Sequence, residues 1–307
     1  MTGKEDKMSE IHTMIFDMIM KGRSVYDPDN RPDYTARRKQ EEEMSAQSPL
    51  PEGTEFSVGE LGNVPVEYIS CGKNRTDRIV FYIHGGGFVS GSSRQSRNIT
   101  GYVAAELGFN VISADYRLAP EHPFPAGAED CFAVYRALLE EYPAEKIAFM
   151  GGSAGGNLVL SAALMAKDRG LPLPACIVTA SPTLQYTKDL ESYKKNAGTD
   201  CMITNLAQEV KAEYFQSSES NVLENPYGAP LSGDFHGFPP VLVNVSGSEV
   251  LYDDAVLLDR RLKEQGVRTV FLPRSGMMHG YIFLPVLPEA QEDLKAVQSF
   301  ISECFGE

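Results

Sequence analysis

The run Gly151-Gly152-Ser153-Ala154-Gly155 sets a serine among residues too small to shield it. A serine hydroxyl is a poor nucleophile until a base takes its proton, so the chemistry to look for is acyl transfer assisted by a base. Upstream, His84-Gly85-Gly86-Gly87-Phe88 strings together backbone amides with no side chains over them. The histidines are His12, His84, His122, His236 and His279. A general base must lie on a loop able to reach the serine oxygen, and the loop Pro273 to Met278 leads directly to His279 and then Gly280.

These residues need elements to position them. Lys146 to Met150 reads as a buried strand and Leu158 to Lys167 as a helix, which puts Ser153 on a strand-to-helix turn, the context a nucleophile elbow requires. The same turn aims the amide of Ala154 at the place where negative charge develops in a tetrahedral intermediate. Arg78 to Ile83 is a second strand, ending in the glycine loop, and the amides of Gly85 and Gly86 would complete an oxyanion hole with Ala154. His84 then shapes the loop. A dinucleotide fingerprint fits less well, because Ser90 stands where a third glycine belongs and Asp115 lies too far on to hold a ribose.

The acid should follow the strand Val241 to Val245, where Glu249, Asp253 and Asp254 compete. Tyr252 to Gly266 has helical periodicity through Ala255, Leu258 and Leu262, so both aspartates fall in its first turn, where carboxylates favour the helix dipole. Glu249, in the loop, is the candidate to orient His279, with Asp253 as the alternative. His279 comes after the strand Thr269 to Leu272, in the order Ser, acid, His.

Short β-branched or aromatic runs alternate with helical patterns, the signature of parallel strands joined by crossover helices. Val64 to Ser70, Asn110 to Ser113 and Cys176 to Thr179 complete the set of predicted strands. Between about Pro182 and Pro239 the strand pattern stops. At the other end, residues 9–22 place Ile11, Met14, Ile15, Met18 and Ile19 at helical spacing, a stripe expected to pack on the body or, as the alternative, to form an adaptable wall over a binding site, with Ser9 as N-cap and Gly22 as stop. Residues 23–53 are polar and read as a turn and a short solvated helix. The expectation is one α/β domain over residues 1–307, with a helical cap from about 1–50 and 183–238.

A chain of 307 residues with 42% hydrophobic content can bury a large core. Its 28 basic and 42 acidic residues give a net charge of -14, which opposes nucleic acid and anionic lipid as partners. Cys71, Cys131, Cys176, Cys201 and Cys304 have no CxxC spacing and read as free thiols of a cytoplasmic protein. No HExxH or histidine cluster suggests a metal, and no cofactor is called for. Asp17 interrupts the apolar segment Ile11 to Met20, and no other stretch reaches the ~18 apolar residues needed to span a bilayer.

Together these motifs resemble the hormone-sensitive lipase family of esterases, marked by an HGGG loop and a GDSAGG elbow. Asp115 to Ala126, Asp-Tyr-Arg-Leu-Ala-Pro-Glu-His-Pro-Phe-Pro-Ala, is similar to that family's DYRLAPE-PFPA segment, which buttresses the site. The resemblance implies an α/β-hydrolase fold, Ser153 as nucleophile, His279 as base, the 84–87 loop as oxyanion donor, short acyl esters as substrates and, for several members, a homodimer. Two departures stand out. Glu249 occupies the acid position where members commonly use Asp, and Gly152 replaces the Asp often found beside the nucleophile. An amidase, a deacetylase or an acyltransferase would use the same triad. A non-catalytic receptor class on this fold lacks the base, and His279 argues against that reading.

Overall fold

The computed structural model describes residues 8–23, 25–72, 74–186, 189–216 and 224–307. Two helices, α1 (Glu10–Gly22) and α2 (Tyr34–Ser45), precede β1 (Thr54–Leu61), β2 (Val64–Cys71) and β3 (Arg75–Ile83). Next come α3 (Arg97–Leu107), β4 (Phe109–Ala114), α4 (Ala126–Glu141), β5 (Ile147–Gly152), α5 (Ala154–Asp168) and β6 (Cys176–Ala180). Short helices α6 (Glu191–Lys195) and α7 (Leu206–Glu209) lead to β7 (Val241–Ser246), α8 (Tyr252–Glu264), β8 (Thr269–Arg274) and α9 (Pro288–Cys304).

The strands form one sheet in the order β1-β2-β4-β3-β5-β6-β7-β8. β2 is antiparallel to β1 and β4, and every other pairing is parallel. Such a sheet needs cover on both faces, and β3 shows how the sequence supplies it. Ile79, Phe81 and Ile83 join one hydrophobic cluster, with residues of α4, α5 and α8. Val80 and Tyr82 join the other, with residues of α3 and α9. This is the expected α/β architecture, a mostly parallel sheet flanked by helices.

All seven predicted strands are present. β1 is additional: it is an edge strand whose Val58 is 79% exposed, so its apolar pattern is weak. It joins β2 through Gly62 and Asn63, which both take the positive φ (59° and 65°) that a two-residue hairpin demands.

In α1, the predicted cap is present, with Ser9 accepting a hydrogen bond from the His12 amide. The buried face differs from the predicted stripe. His12 is fully buried, Ile15, Phe16, Ile19 and Met20 are half-buried, and Met14 and Met18 are 67% and 66% exposed. The cause is polar: Ser9 bonds Glu289 through its amide (2.7 Å) and hydroxyl (3.0 Å), and the His12 ring finds a backbone partner inside. The helix therefore turns a histidine inward and two methionines out.

Of the two predicted cap segments, residues 1–7, 187, 188 and 217–223 lie outside the described residues. The rest of 183–238 carries α6, α7, a π-turn at Val210–Tyr214 and a 3-10 turn at Pro230–Ser232, and no strand among the described residues. No described helix is long and apolar enough to cross a membrane.

Candidate active site

Ser153 sits where β5 gives way to α5, with φ 56° and ψ -122°, a conformation that a residue with a side chain adopts only under constraint. The constraint is visible. The Ser153 amide donates to Ala180 O on β6 (2.9 Å), and its carbonyl accepts from the amides of Asn157 and Thr183 (both 3.2 Å). A Cβ on Gly152 would collide with the Phe283 ring, its Cδ2 at 3.1 Å among other atoms. Gly152 thus lets an aromatic ring back the elbow.

The glycine loop lies directly against the serine, since a Cβ on Gly85 would sit 3.3 Å from that of Ser153. Gly86 has φ 111° and its carbonyl accepts from the amides of Val89 (3.1 Å) and Ser90 (3.0 Å), closing a tight turn. His84 is buried and stacks on Tyr116 at 4.3 Å. Burial lowers its pKa, so the neutral ring donates from Nδ1 to Gly85 O (2.8 Å) and shapes the loop as expected. Tyr116 OH donates to His84 O (3.0 Å) and the Ala119 amide to Phe88 O (2.9 Å), so the 115–126 segment does buttress this loop.

Sequence reasoning did not find Arg38, on α2. Its guanidinium donates to Val89 O (2.7 Å) and Ala119 O (2.6 Å) and forms a two-pronged pair with Glu121 (2.8 and 2.9 Å). Gly86→Ala is expected to lower kcat on a nitrophenyl ester about 10²- to 10³-fold, the cost of an oxyanion donor. A methyl group there would run into the Ser90 carbonyl at a φ only glycine adopts freely. A kcat within twofold of wild type would mean the loop supplies no donor.

Of the three competing carboxylates, Glu249 is the one bonded to His279, Oε2 to Nδ1 at 2.8 Å, with both side chains buried. Burial pushes the Glu249 carboxyl up, against the opposing pull of His279. Burial also disfavours the His279 cation, but attraction to and hydrogen bonding with Glu249 outweigh it and raise that ring above its ordinary value. Asp253 instead accepts from the Ser192 amide (2.8 Å). Asp254 accepts from the amides of Leu184 (2.8 Å) and Gln185 (2.6 Å), its pKa pushed up by burial to about 8.

The loop carrying His279 is held on several sides. The Met278 amide donates to His12 Nε2 (3.2 Å), the Gly280 amide to Ser181 Oγ (3.3 Å) and the Gly276 amide to Ser248 Oγ (3.0 Å). His12 was also missed by sequence reasoning. Its one signal was spacing, a polar residue in register with Ile15, Phe16 and Ile19.

Ser153, His279 and Gly85 to Gly87 line one cavity of about 490 Å³, a size that suits a small organic molecule. Ile15 and Ile19 of α1, Arg37 of α2 and Ile203 and Leu206 of the 183–238 segment complete its walls. Both predicted cap segments therefore reach the site.

A family described as alpha/beta hydrolase fold matches residues 80–283. Among curated relatives, an acetyl-hydrolase of Streptomyces hygroscopicus is 30% identical over 262 residues, 82% of this chain and 87% of the relative. An esterase of Acinetobacter venetianus is 32% identical over 242 residues, 78% of this chain and 79% of the relative. A solved esterase from the bacterial hormone-sensitive lipase family superposes with a TM-score of 0.89 at 33% identity, covering 99% of this chain and 100% of that one. Another solved structure, EstE5 soaked with p-nitrophenyl butyrate, gives 0.89 at 28% identity over 97% of this chain and 100% of that one. With an eight-stranded sheet, a serine elbow and a histidine opening on one cavity, and this set of relatives, the chain belongs to the α/β-hydrolase family and, within it, to the hormone-sensitive lipase group of serine carboxylesterases.

Proposed function

We propose that this carboxylic ester hydrolase acts on short-chain acyl esters through an acyl-enzyme on Ser153, with His279 as base and Glu249 as the acid that orients it. The buried 2.8 Å bond between Glu249 and His279, on the cavity that Ser153 lines, carries the reading. With Nδ1–H donated to the carboxylate, Nε2 keeps its lone pair for the serine proton. Ser153 Oγ attacks the carbonyl carbon, and the amides of Gly85, Gly86 and Ala154 receive the charge on its oxygen. His279 then protonates the departing alcohol, and later takes a proton from the water that releases the acid. No cofactor takes part.

Short acyl groups fit a cavity of this size, the acetyl-hydrolase name of one relative and the butyrate ester soaked into a structural neighbour. The described parts of the segments about 1–50 and 183–238 act as a cap on a single hydrolase domain, because residues from both wall the cavity. Thiols left free at all five cysteines fit a reducing cytoplasm. Nitrophenyl esters of increasing acyl length test the reading, with kcat/KM expected to be highest from acetate to butyrate and to fall beyond. Absence of turnover on the whole series, with no organophosphate adduct at Ser153, would sink it.

A further inference from the structure

We infer that Asp200, in the turn before the cavity wall, is a positioning residue that holds the Glu249 loop and adds a negative charge to the surroundings of His279. This rests on the proposed roles of Ser153, Glu249 and His279. Asp200 is 3% exposed, and both of its oxygens accept from backbone amides. Oδ1 accepts from Met202 and Ile203, each at 2.9 Å, and Oδ2 accepts from Val250, also at 2.9 Å. Acceptance at both oxygens is the pattern of a carboxylate, which has no proton to donate.

The Val250 amide belongs to the same peptide unit as the Glu249 carbonyl. That carbonyl accepts from Asn196 Nδ2 at 2.8 Å, and the Asp200 amide closes the turn by donating to Asn196 O at 2.8 Å. One turn, Asn196 to Asp200, therefore grips both polar atoms of the peptide leaving Glu249. A peptide held at both ends of its dipole resists rotation, so this turn helps to fix the backbone of Glu249, while its carboxylate is held by the Ser246 amide (3.3 Å) and His279 (2.8 Å). The same Asp200 carboxylate orders Met202 and Ile203, which line the cavity. Acid and wall share one anchor.

Charge gives Asp200 an effect that a packing residue would lack. His279 faces Glu249 from the loop after β7 and Asp200 from the inserted turn, and both negative charges favour its cationic form. Glu249 in turn faces Ser181 after β6 and Asp254 of α8, and His12 of α1 touches the base loop at Met278. Removing the Asp200 charge leaves Glu249 as the acid but makes His279 harder to protonate. In the free enzyme, the acid limb of kcat/KM against pH must then move to lower pH. The imidazolium formed during attack also loses support, so the plateau must fall.

The test uses the full chain and nitrophenyl acetate, with wild type and Ser153→Ala alongside. Asp200→Asn is expected to lower the plateau about tenfold to a hundredfold, mainly in kcat, and to move the acid limb to lower pH. Asn196→Ala, which removes a bond to the same peptide without removing a charge, is expected to lower the plateau and leave the limb in place. A wild-type profile for Asp200→Asn overturns the inference, and so does a lowered plateau with an unmoved limb. Failure of both variants to fold overturns it too, since Asp200 would then be required for folding rather than for positioning. If Ser153→Ala keeps its activity, the triad reading fails instead, which the same assay registers separately.

Discussion

Ser153→Ala is expected to lower kcat on nitrophenyl acetate about 10⁵- to 10⁶-fold without lowering the melting temperature. The size follows from removing the atom that forms the acyl-enzyme, which in serine hydrolases costs nearly as much as removing the whole triad. What survives is the effect of binding and the oxyanion amides. Stability should hold because the hydroxyl makes no capping bond at the head of α5, and the bonds that fix the elbow are made by the Ser153 backbone. Alanine meets the same demand at φ 56°. Stopped assays at high enzyme concentration, with a melting curve on the same sample, check both parts. A variant retaining a tenth of wild-type kcat would remove Ser153 from the mechanism.

Glu249→Gln is expected to cost about 10⁴-fold in kcat, whereas Asp253→Asn should stay within a few-fold of wild type. Glutamine preserves shape, but it brings no charge to the imidazolium and can present an N–H to Nδ1, which selects the wrong ring tautomer. The stability effect has the opposite sign. Because burial raises the Glu249 carboxyl, the folded chain holds this proton to higher pH than the unfolded chain does. Ionisation therefore costs stability as pH rises from the ordinary carboxylate range through the raised value. Glutamine removes that cost, so the variant should melt no lower than wild type at neutral pH. Asp253, bonded to the Ser192 amide, lies outside this exchange. Reversed kinetic results for the two variants would transfer the acid role to Asp253.

The residues proposed for the chemistry were readable because each lies just after a strand in a local run, Gly85 after β3, Ser153 after β5, Glu249 after β7 and His279 after β8. The strands themselves were readable because buried parallel strands are continuous apolar runs. The preference for Glu249 over Asp253 rested on the start of α8, with Asp253 left as the alternative. The groups that hold these residues were not readable. Arg38 meets Ala119 across 81 positions, and His12 meets Met278 across 266, with nothing in either neighbourhood to announce the partner. Polar residues on solvated or amphipathic helices look alike whether they face water or a distant carbonyl. The orientation of α1 was misread for the same reason, since its inward face is fixed by Ser9 and His12 rather than by its methionines.

The tie between α1 and the base loop also bears on how the enzyme is made. On the ribosome, α1 emerges 266 residues ahead of Met278 and 280 ahead of Glu289, its two polar anchors. Until those positions are synthesised, the buried face of His12, Ile15 and Ile19 has nowhere to dock, although the central strands can already pair. A contact this distant in sequence forms late, after the loop-closure entropy has been offset elsewhere. Catalytic competence should therefore appear only after translation passes Glu289, and until then the chain carries α1 with its inward face undocked.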